Sequence, residues 1–402
     1  MLAIGLNSGS SFDGIDAVLI EIGIDRDGHP TTPKFLEAIS HDWPAEVGDR
    51  VLLAFENKLS LFEMNRLNYE AGAVYAEAAL KLMAKTGKTS ADIAVIGYDG
   101  QTIYQEPPER QLRVNLPANP TPLQKWTIGG FACGTQIGEA AVVAVETNIP
   151  TVTHFRPVDH ALGGTGAPLM QYLDFVVFRN MPGIMTLNIG GIANCQVPNI
   201  DRRKMMAFDT GPGNVMIDHA MKLFFSRAFD NDGEVAATGK VDEPMLARLL
   251  DHPYFHREPP RCAWRLDFGS KYANLVIRDA GNLTKEDIVT TLTAFTAESI
   301  NRSLREHIHN FADYSTLVVS GGGIWNKTLL AMIQSKIAPT LELKLSDEYG
   351  LPAIYKEAIK FATLAFAHTQ HLANNIPAAS GASKFGVLGR QVLPPRMALN
   401  LD

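Results

Sequence analysis

The residues best suited to chemistry are Asp209 and the turn after it, Phe208-Asp209-Thr210-Gly211-Pro212-Gly213-Asn214. The apolar lead-in predicts a strand that ends at Asp209. Thr-Gly-Pro-Gly then predicts a tight turn, because Gly211 and Gly213 can take positive φ and Pro212 has its φ fixed. Asn214 is the expected N-cap of a helix that begins at Val215. This arrangement sets a carboxylate beside free N–H groups at a helix start, where anions are favoured. The chemistry it suits is that of a general base next to a phosphate. A lone Asp-Thr-Gly is more often an ordinary loop, so the reading depends on the other glycine turns.

Three such turns accompany it. Residues 2–23 read as strand, polar turn, strand, and the turn holds Gly9, Ser10, Ser11, Asp13 and Gly14. Small hydroxyl residues and glycines at a hairpin tip let backbone N–H groups close around phosphate oxygens. Asp13 and Asp16 suit Mg²⁺, directly or through water, with Asp13 the assigned ligand. Residues 185–197 repeat the strand, glycine turn and return strand, with Asn188, Gly190 and Gly191 at the second tip. Gly321-Gly322-Gly323 follows a buried strand, and the missing side chains leave room for a flat ring such as adenine. Together, four glycine turns at strand ends fit a nucleotide held between two α/β domains, with Asp209 facing the γ-phosphate.

The surrounding pattern predicts the elements that position these turns. Helices are expected over most of 45–87 and over Gln136 to Glu146, Glu243 to Leu250, Lys285 to His307, Lys327 to Ile337 and about Ala353 to Leu372. Glu357 falls on the first turns of the last of these. Short strands are expected at Ile93 to Gly97 and Ile149 to Thr153. Each runs into polar residues: Tyr98-Asp99-Gly100-Gln101-Thr102 after the first, and His154 to His160 with Gly163 to Pro168 after the second. Polar residues at a strand's C-terminal end often face a ligand crevice. His154 and His160 read as polar loop histidines rather than metal ligands.

The 402 residues are 46% hydrophobic, with a net charge of −7 and no basic block. Large cores and two domains follow, and nucleic acid and anionic membrane are excluded as expected partners. Cys133, Cys195 and Cys262 are widely spaced, without a Cys-x-x-Cys pair, so neither a disulfide framework nor a zinc site is expected. Met1 leads straight into a strand-like run rather than a signal peptide, and the expected location is cytoplasmic.

These motifs resemble those of the anhydro-N-acetylmuramic acid kinase family, and within it the fungal levoglucosan kinases especially. The family's opening Gly-Leu-Met-Ser-Gly-Thr-Ser-x-Asp-Gly-x-Asp appears as Gly5 to Asp16, with Asn7 for Met and Ser10 for Thr. Asn188 to Asn194, Phe208 to Asn214, Gly321 to Gly323 and Asp347 to Gly350 match as they stand. Gly163 to Leu169 matches with Thr165 in place of Gln. The resemblance implies an actin-like α/β fold of two ribonuclease-H-like domains around a cleft. These are expected at 1–153, with 372–402 returning to it, and at 154–371. It implies ATP and Mg²⁺, an anhydro sugar as substrate, and pairing as homodimers. It implies Asp209 as catalytic base and Glu357 as support for substrate or water. The residues assigned to ATP are Gly9, Ser10, Ser11, Asp13, Gly14, Asp16, Asn188, Gly190, Gly191, Gly211, Gly213, Asn214 and Gly321 to Gly323. Those assigned to the sugar are Gln101, Thr102, Arg156, Asp159 and Gly164.

Departures from the family pattern cluster on the sugar side or at the domain hinge. Asp99 replaces a His, Gln105 replaces another, His154 replaces an Asp, and residues 261–266 differ from Lys-Ser-Thr-Gly-Arg-Glu at all but the Arg. The exchange at 99 and 154 suggests an ion pair of swapped polarity. Three functions compete: a kinase that opens an anhydro sugar, a kinase of an ordinary sugar hydroxyl, and a non-catalytic sugar or nucleotide sensor. The retained Asp209 speaks against the sensor.

Overall fold

The computed structural model describes residues 1–395 apart from Ser10, Ser11, Asp13 and Trp264. The chain divides into two compact units, Met1–Val177 with Tyr355 onward, and Phe178–Ile354.

In the first unit, β1 (Leu2–Asn7), β2 (Ile15–Glu21) and β3 (Lys34–His41) form an antiparallel meander. β4 (Ile93–Gly97) joins β1 in parallel. A separate antiparallel ribbon joins β5 (Gln101–Glu106) to β6 (Cys133–Ile137), and β7 (Thr151–Thr153) then joins β4 in parallel. The main strands lie in the order β3-β2-β1-β4-β7.

The second unit repeats the plan. β8 (Ile184–Ile189), β9 (Ile192–Val197) and β10 (Met206–Pro212) form the meander. β11 (Thr316–Ser320) and β12 (Glu342–Leu345) add in parallel, giving the order β10-β9-β8-β11-β12. Third-second-first-fourth-fifth, twice over, is the ribonuclease-H-like order, and its duplication is the actin-like α/β fold. In the first unit β13 (Arg390–Val392) adds beside β7, antiparallel to it.

Strands buried on both faces need helices against them, and the sequence supplies clear helix ends. Ser60 and Glu63 form a reciprocal capping box at the head of the Leu61–Thr86 helix, and Gly87 closes it in the left-handed conformation. Thr284 caps Lys285–His307 by accepting from the Asp287 N–H at 3.1 Å. The helix Lys356–Thr369 packs directly on β1 and β4. Glycine makes that approach possible: a Cβ on Gly5 would overlap the Ala358 carbonyl oxygen, and one on Gly97 would overlap that of Phe361. Among the described residues no helix is long and apolar enough to cross a membrane.

Several elements differ from expectation. The first part of the expected helix Gln136 to Glu146 is strand β6, and the helix is Ala140–Thr147. The Gly138 φ of +125° breaks the chain between them. The helix expected from Ala353 begins three residues later, and strand β7 is shorter than expected. The unit boundaries fall at 177/178 and 354/355 rather than 153/154 and 371/372. The second boundary follows from the close seat of Lys356–Thr369 on β1 and β4, which keeps that helix with the first unit. Of the expected returning segment 372–402, residues 396–402 lie outside the described residues.

The two glycine seats predict a stability contrast. Gly97→Ala should lower the urea midpoint by the equivalent of about 1–3 kcal/mol, the usual cost of overpacking. Gly322→Ala should leave it unchanged, because a Cβ there meets nothing within 4 Å. Equal midpoints for the two variants would contradict this packing.

Candidate functional site

Asp209 lies inside β10 rather than at its end. It pairs with Asn194 of β9, and the register then slips between Asp209 and Gly211. The expected tight turn is thus a bulge within a continuing strand, which re-aims side chains without ending the ladder. Gly211 carries the positive φ (+144°), and Gly213 does not. A Cβ on Gly211 would sit 3.0 Å from Ser299 Oγ, so the bulge also needs glycine to pack on the helix Lys285–His307.

The carboxylate is buried, with 6% exposure. Its Oδ2 accepts from the Ala263 N–H at 2.7 Å. The Asp209 N–H donates to the Arg261 carbonyl at 3.1 Å. Its own carbonyl accepts from Tyr254 Oη at 2.5 Å and from Arg261 Nε at 3.2 Å. Burial, and then the Asp209 charge, push the Tyr254 phenol well up, so it stays protonated and donates. The Arg261 guanidinium lies over the Tyr254 ring at 4.9 Å and donates to Arg257 O and Ser303 Oγ, each at 2.9 Å. Ser303 in turn donates to Thr210 O at 2.9 Å. Sequence reasoning missed Tyr254 and Ala263. No motif marks Tyr254, and Ala263 acts only through its backbone.

The second hairpin tip contacts the end of β10. The Gly190 carbonyl accepts from Asn214 N–H at 2.8 Å, and the Gly191 carbonyl accepts from Gly213 and Val215 N–H at 2.9 and 3.1 Å. The N–H groups of Gly213, Asn214 and Val215, expected to be free at that turn and helix start, are therefore taken by the hairpin. Nor does Asn214 cap the helix Val215–Phe225: its backbone is already helical and its side chain makes no capping bond. A Cβ on Gly213 would overlap the Gly190 carbonyl oxygen, which explains the glycine. Buried Asn188 lies one residue before the end of β8, and its Oδ1 accepts from Ser320 Oγ at 3.1 Å. Gly321 (φ +87°) and Gly323 press on Ile189, whereas Gly322 faces open space. Asn188, Gly190, Gly191, Gly211, Gly213, Asn214 and Gly321–Gly323 thus come together in one unit.

The remaining predicted residues lie in the first unit. Gly9 and Gly14 flank the first tip, where Gly9 O accepts from Phe12 N–H at 3.1 Å. Ser10, Ser11 and Asp13 lie outside the described residues. Asp16 Oδ1 accepts from Ser40 Oγ at 2.7 Å. Buried Gln101 accepts from Ser8 Oγ at 2.7 Å, and Ser8 accepts from Trp43 Nε1 at 3.1 Å. Thr102 follows on β5, opposite Gln136 of β6.

The expected Asp99–His154 pair is replaced by another. Asp99 Oδ2 accepts from Arg156 Nε at 2.5 Å and Oδ1 from the Phe155 N–H at 3.0 Å. Burial holds His154 below its ordinary pKa, so it is no cationic partner. Arg156 also donates to Gly166 O at 3.3 Å. Asp159 accepts from Gly166 N–H at 2.9 Å and Ser380 Oγ at 2.8 Å. A Cβ on Gly164 would collide with that carboxylate, so Asp159 shapes the glycine loop. Gln105 Nε2 lies 3.0 Å from His160 Nε2 and donates to Thr165 O at 3.1 Å. Asp99, Gln105 and Thr165, three of the departures from the family pattern, thus meet on Arg156, His160 and Gly166.

Glu357 is half-buried on the first turn of Lys356–Thr369, with Lys360 Nζ 3.8 Å from its Oε2. Beside it, fully buried Lys356 pairs with Asp174 at 2.7 Å. No group of three or more metal-binding side chains occurs among the described residues.

The family model for anhydro-N-acetylmuramic acid kinase matches residues 1–394. The chain belongs to the anhydro-N-acetylmuramic acid kinase family. The family's kinase of Caldanaerobacter subterraneus subsp. tengcongensis is 37% identical over 400 residues, covering 97% of this chain and 96% of that protein. The kinase of Francisella tularensis subsp. novicida is 35% identical over 400 residues, covering 96% and 97%. Family membership thus spans both units, including the segments that depart from its motifs. Among solved structures, the chain is similar to an activator of 2-hydroxyisocaproyl-CoA dehydratase from Clostridium difficile (14% identity, 92% of this chain and 96% of that one, TM-score 0.40). It is likewise similar to a ROK family glucokinase from Streptomyces griseus (11% identity, 91% and 99%, TM-score 0.36).

Two predictions follow from these contacts. Tyr254→Phe removes one hydrogen bond to the Asp209 carbonyl and should cost about 0.5–1.5 kcal/mol, while Arg261→Met leaves several buried carbonyls short and should cost about 1–3 kcal/mol. Urea melts that rank the two in the opposite order would contradict the network. Second, burial lowers the His160 pKa to about 4. The unfolded ring takes a proton near its ordinary value and the folded ring does not, so stability falls as pH drops below about 6.5. His160 should contribute a loss of about 2 kcal/mol between pH 7 and pH 5, and His160→Gln should remove that share. An unchanged pH slope in the variant would refute the assignment.

Proposed function

We propose that this chain is an ATP-dependent kinase that hydrolyses the bridge of a 1,6-anhydro sugar and phosphorylates O6. The proposed acceptor is 1,6-anhydro-N-acetylmuramic acid, the sugar for which the relatives are named. The observation that carries the reading is the family match over residues 1–394, with Asp209 retained and buried in a built hydrogen-bond network.

Asp209 takes a proton from water as the water oxygen bonds to the anomeric carbon. The bond from that carbon to the bridging oxygen breaks, and the bridge leaves with its electron pair as O6. O6 bonds to the γ-phosphorus, the bond from phosphorus to the β,γ-bridging oxygen breaks, and ADP leaves. Anhydro sugar, water and ATP become the 6-phosphorylated sugar and ADP, and the proton is released from Asp209. One base suffices because phosphoryl transfer needs mainly positioning and charge neutralisation.

The supporting residues divide by chemistry. Gly190, Gly191, Gly213 and Gly321–Gly323 are assigned to the nucleotide, and the open space over Gly322 suits the adenine. Gly9, Ser10, Ser11 and Gly14 are assigned to the phosphates. Mg²⁺ would supply positive charge to those phosphates when bound, with Asp13 its assigned ligand and Asp16 also suited to it. Glu357 supports the sugar or the attacking water. Arg156 and Gln101 are assigned to the sugar, while Asp159 and Gly164 hold the adjoining loop in shape.

Levoglucosan is the second acceptor to weigh, because Asn7 at the end of β1 matches the levoglucosan kinase type. NMR of the products formed from ATP with each anhydro sugar, and with N-acetylglucosamine, separates the readings. The expected product is a 6-phosphate with a newly reducing end, formed fastest from the anhydro-muramic sugar. Phosphorylation of N-acetylglucosamine alone, or a product that keeps its bridge, would defeat the proposal. Gly322→Ala should raise the KM for ATP about tenfold, equivalent to about 1.4 kcal/mol, at unchanged stability. An unaltered KM would move the adenine elsewhere.

A further inference from the structure

The first unit carries a cavity of about 360 Å³ that nothing above uses. Gln136 of β6 and Thr153 at the end of β7 line it, and they are 5% and 2% exposed. Gln136 Nε2 and Thr153 Oγ1 are both buried without a hydrogen-bond partner. Two orphaned polar groups on one cavity wall are unusual, because buried donors are nearly always paired. Arg390 of β13 stands on the same wall, exposed, and forms no ion pair among the described residues.

The cavity's acidic group is already engaged. Glu139 Oε1 accepts from the Ala141 N–H at 3.1 Å, and Oε2 accepts from Asn68 Nδ2 at 3.3 Å. The unpaired groups include three donors: an amide NH₂, a hydroxyl and a guanidinium. One cation with two neutral donors matches the charge and the paired acceptor oxygens of a single carboxylate. Met64, Ile137 and Val392 give the cavity an apolar side for a short carbon body.

We propose that this cavity binds a small organic monocarboxylate, whose oxygens are taken by Gln136 Nε2, Thr153 Oγ1 and the Arg390 guanidinium. The inference does not rest on the role given to Asp209. Binding can be tested by titration calorimetry of the whole chain, saturated with a non-hydrolysable ATP analogue so that the nucleotide site cannot take the probe. The probes are lactate and inorganic phosphate. Lactate should bind saturably and more tightly than phosphate. Its Kd should rise at least tenfold in Arg390→Ala and in Thr153→Val, with both variants melting as the wild type does. Thr153→Val keeps the shape of the side chain and Arg390 is a surface residue, so at least one variant should fold. No saturable lactate binding, the same Kd in a folded variant, or tighter binding of phosphate would overturn the proposal.

Discussion

A carboxylate can work as a base only if it is held in place. Asp209 meets that condition through its backbone. Its N–H and C=O are fixed by Arg261 and Tyr254, and its Oδ2 accepts from the Ala263 N–H. The Arg261 cation sits against the peptide and two aromatic rings, and it donates to carbonyls and Ser303. Its charge thus helps hold the strand that carries Asp209. The same segment bonds onward to the helix Lys285–His307, so the Asp209 carboxylate depends on packing well beyond its own strand.

Close backbone approach is the second constraint, and glycine meets it in both units. Gly5 and Gly97 seat the helix that carries Glu357, and Gly213, Gly321 and Gly323 seat the ends of β10 and β11 against the second hairpin. At these positions any side chain would have to occupy space already filled by backbone or by Ile189. Gly322 differs, since it has room and no strained φ, so the fold does not demand glycine there. A glycine that the fold does not need is the better marker of a ligand surface.

Much of this was legible in the sequence. Strands at Ile93–Gly97 and helices at Glu243–Leu250, Lys285–His307 and Lys327–Ile337 fall where periodicity and caps put them. The duplicated hairpins were also readable, because each is an apolar run broken by glycines. The misreadings share a cause. Asn214 looks like an N-cap and Gly211–Gly213 like a turn because local propensity cannot see the carbonyls of Gly190 and Gly191 arriving from another strand. The Asp99 partner was misassigned for the same reason: two altered positions suggested each other, while Arg156 lay nearer to the carboxylate. Tyr254 had no signal at all, since its contact is to a main-chain atom far along the chain.

The central claim is that the Asp209 carboxylate is the base and that the fold around it stands without its charge. The direct measurement is the turnover of Asp209→Asn with ATP and the anhydro sugar, read beside its binding of a non-hydrolysable ATP analogue and its melting temperature. The account predicts a fall in kcat of about 10²–10⁴, the range for a lost general base, with nucleotide affinity and melting temperature near those of the wild type. A kcat within tenfold of wild type in the folded, nucleotide-binding variant would contradict it.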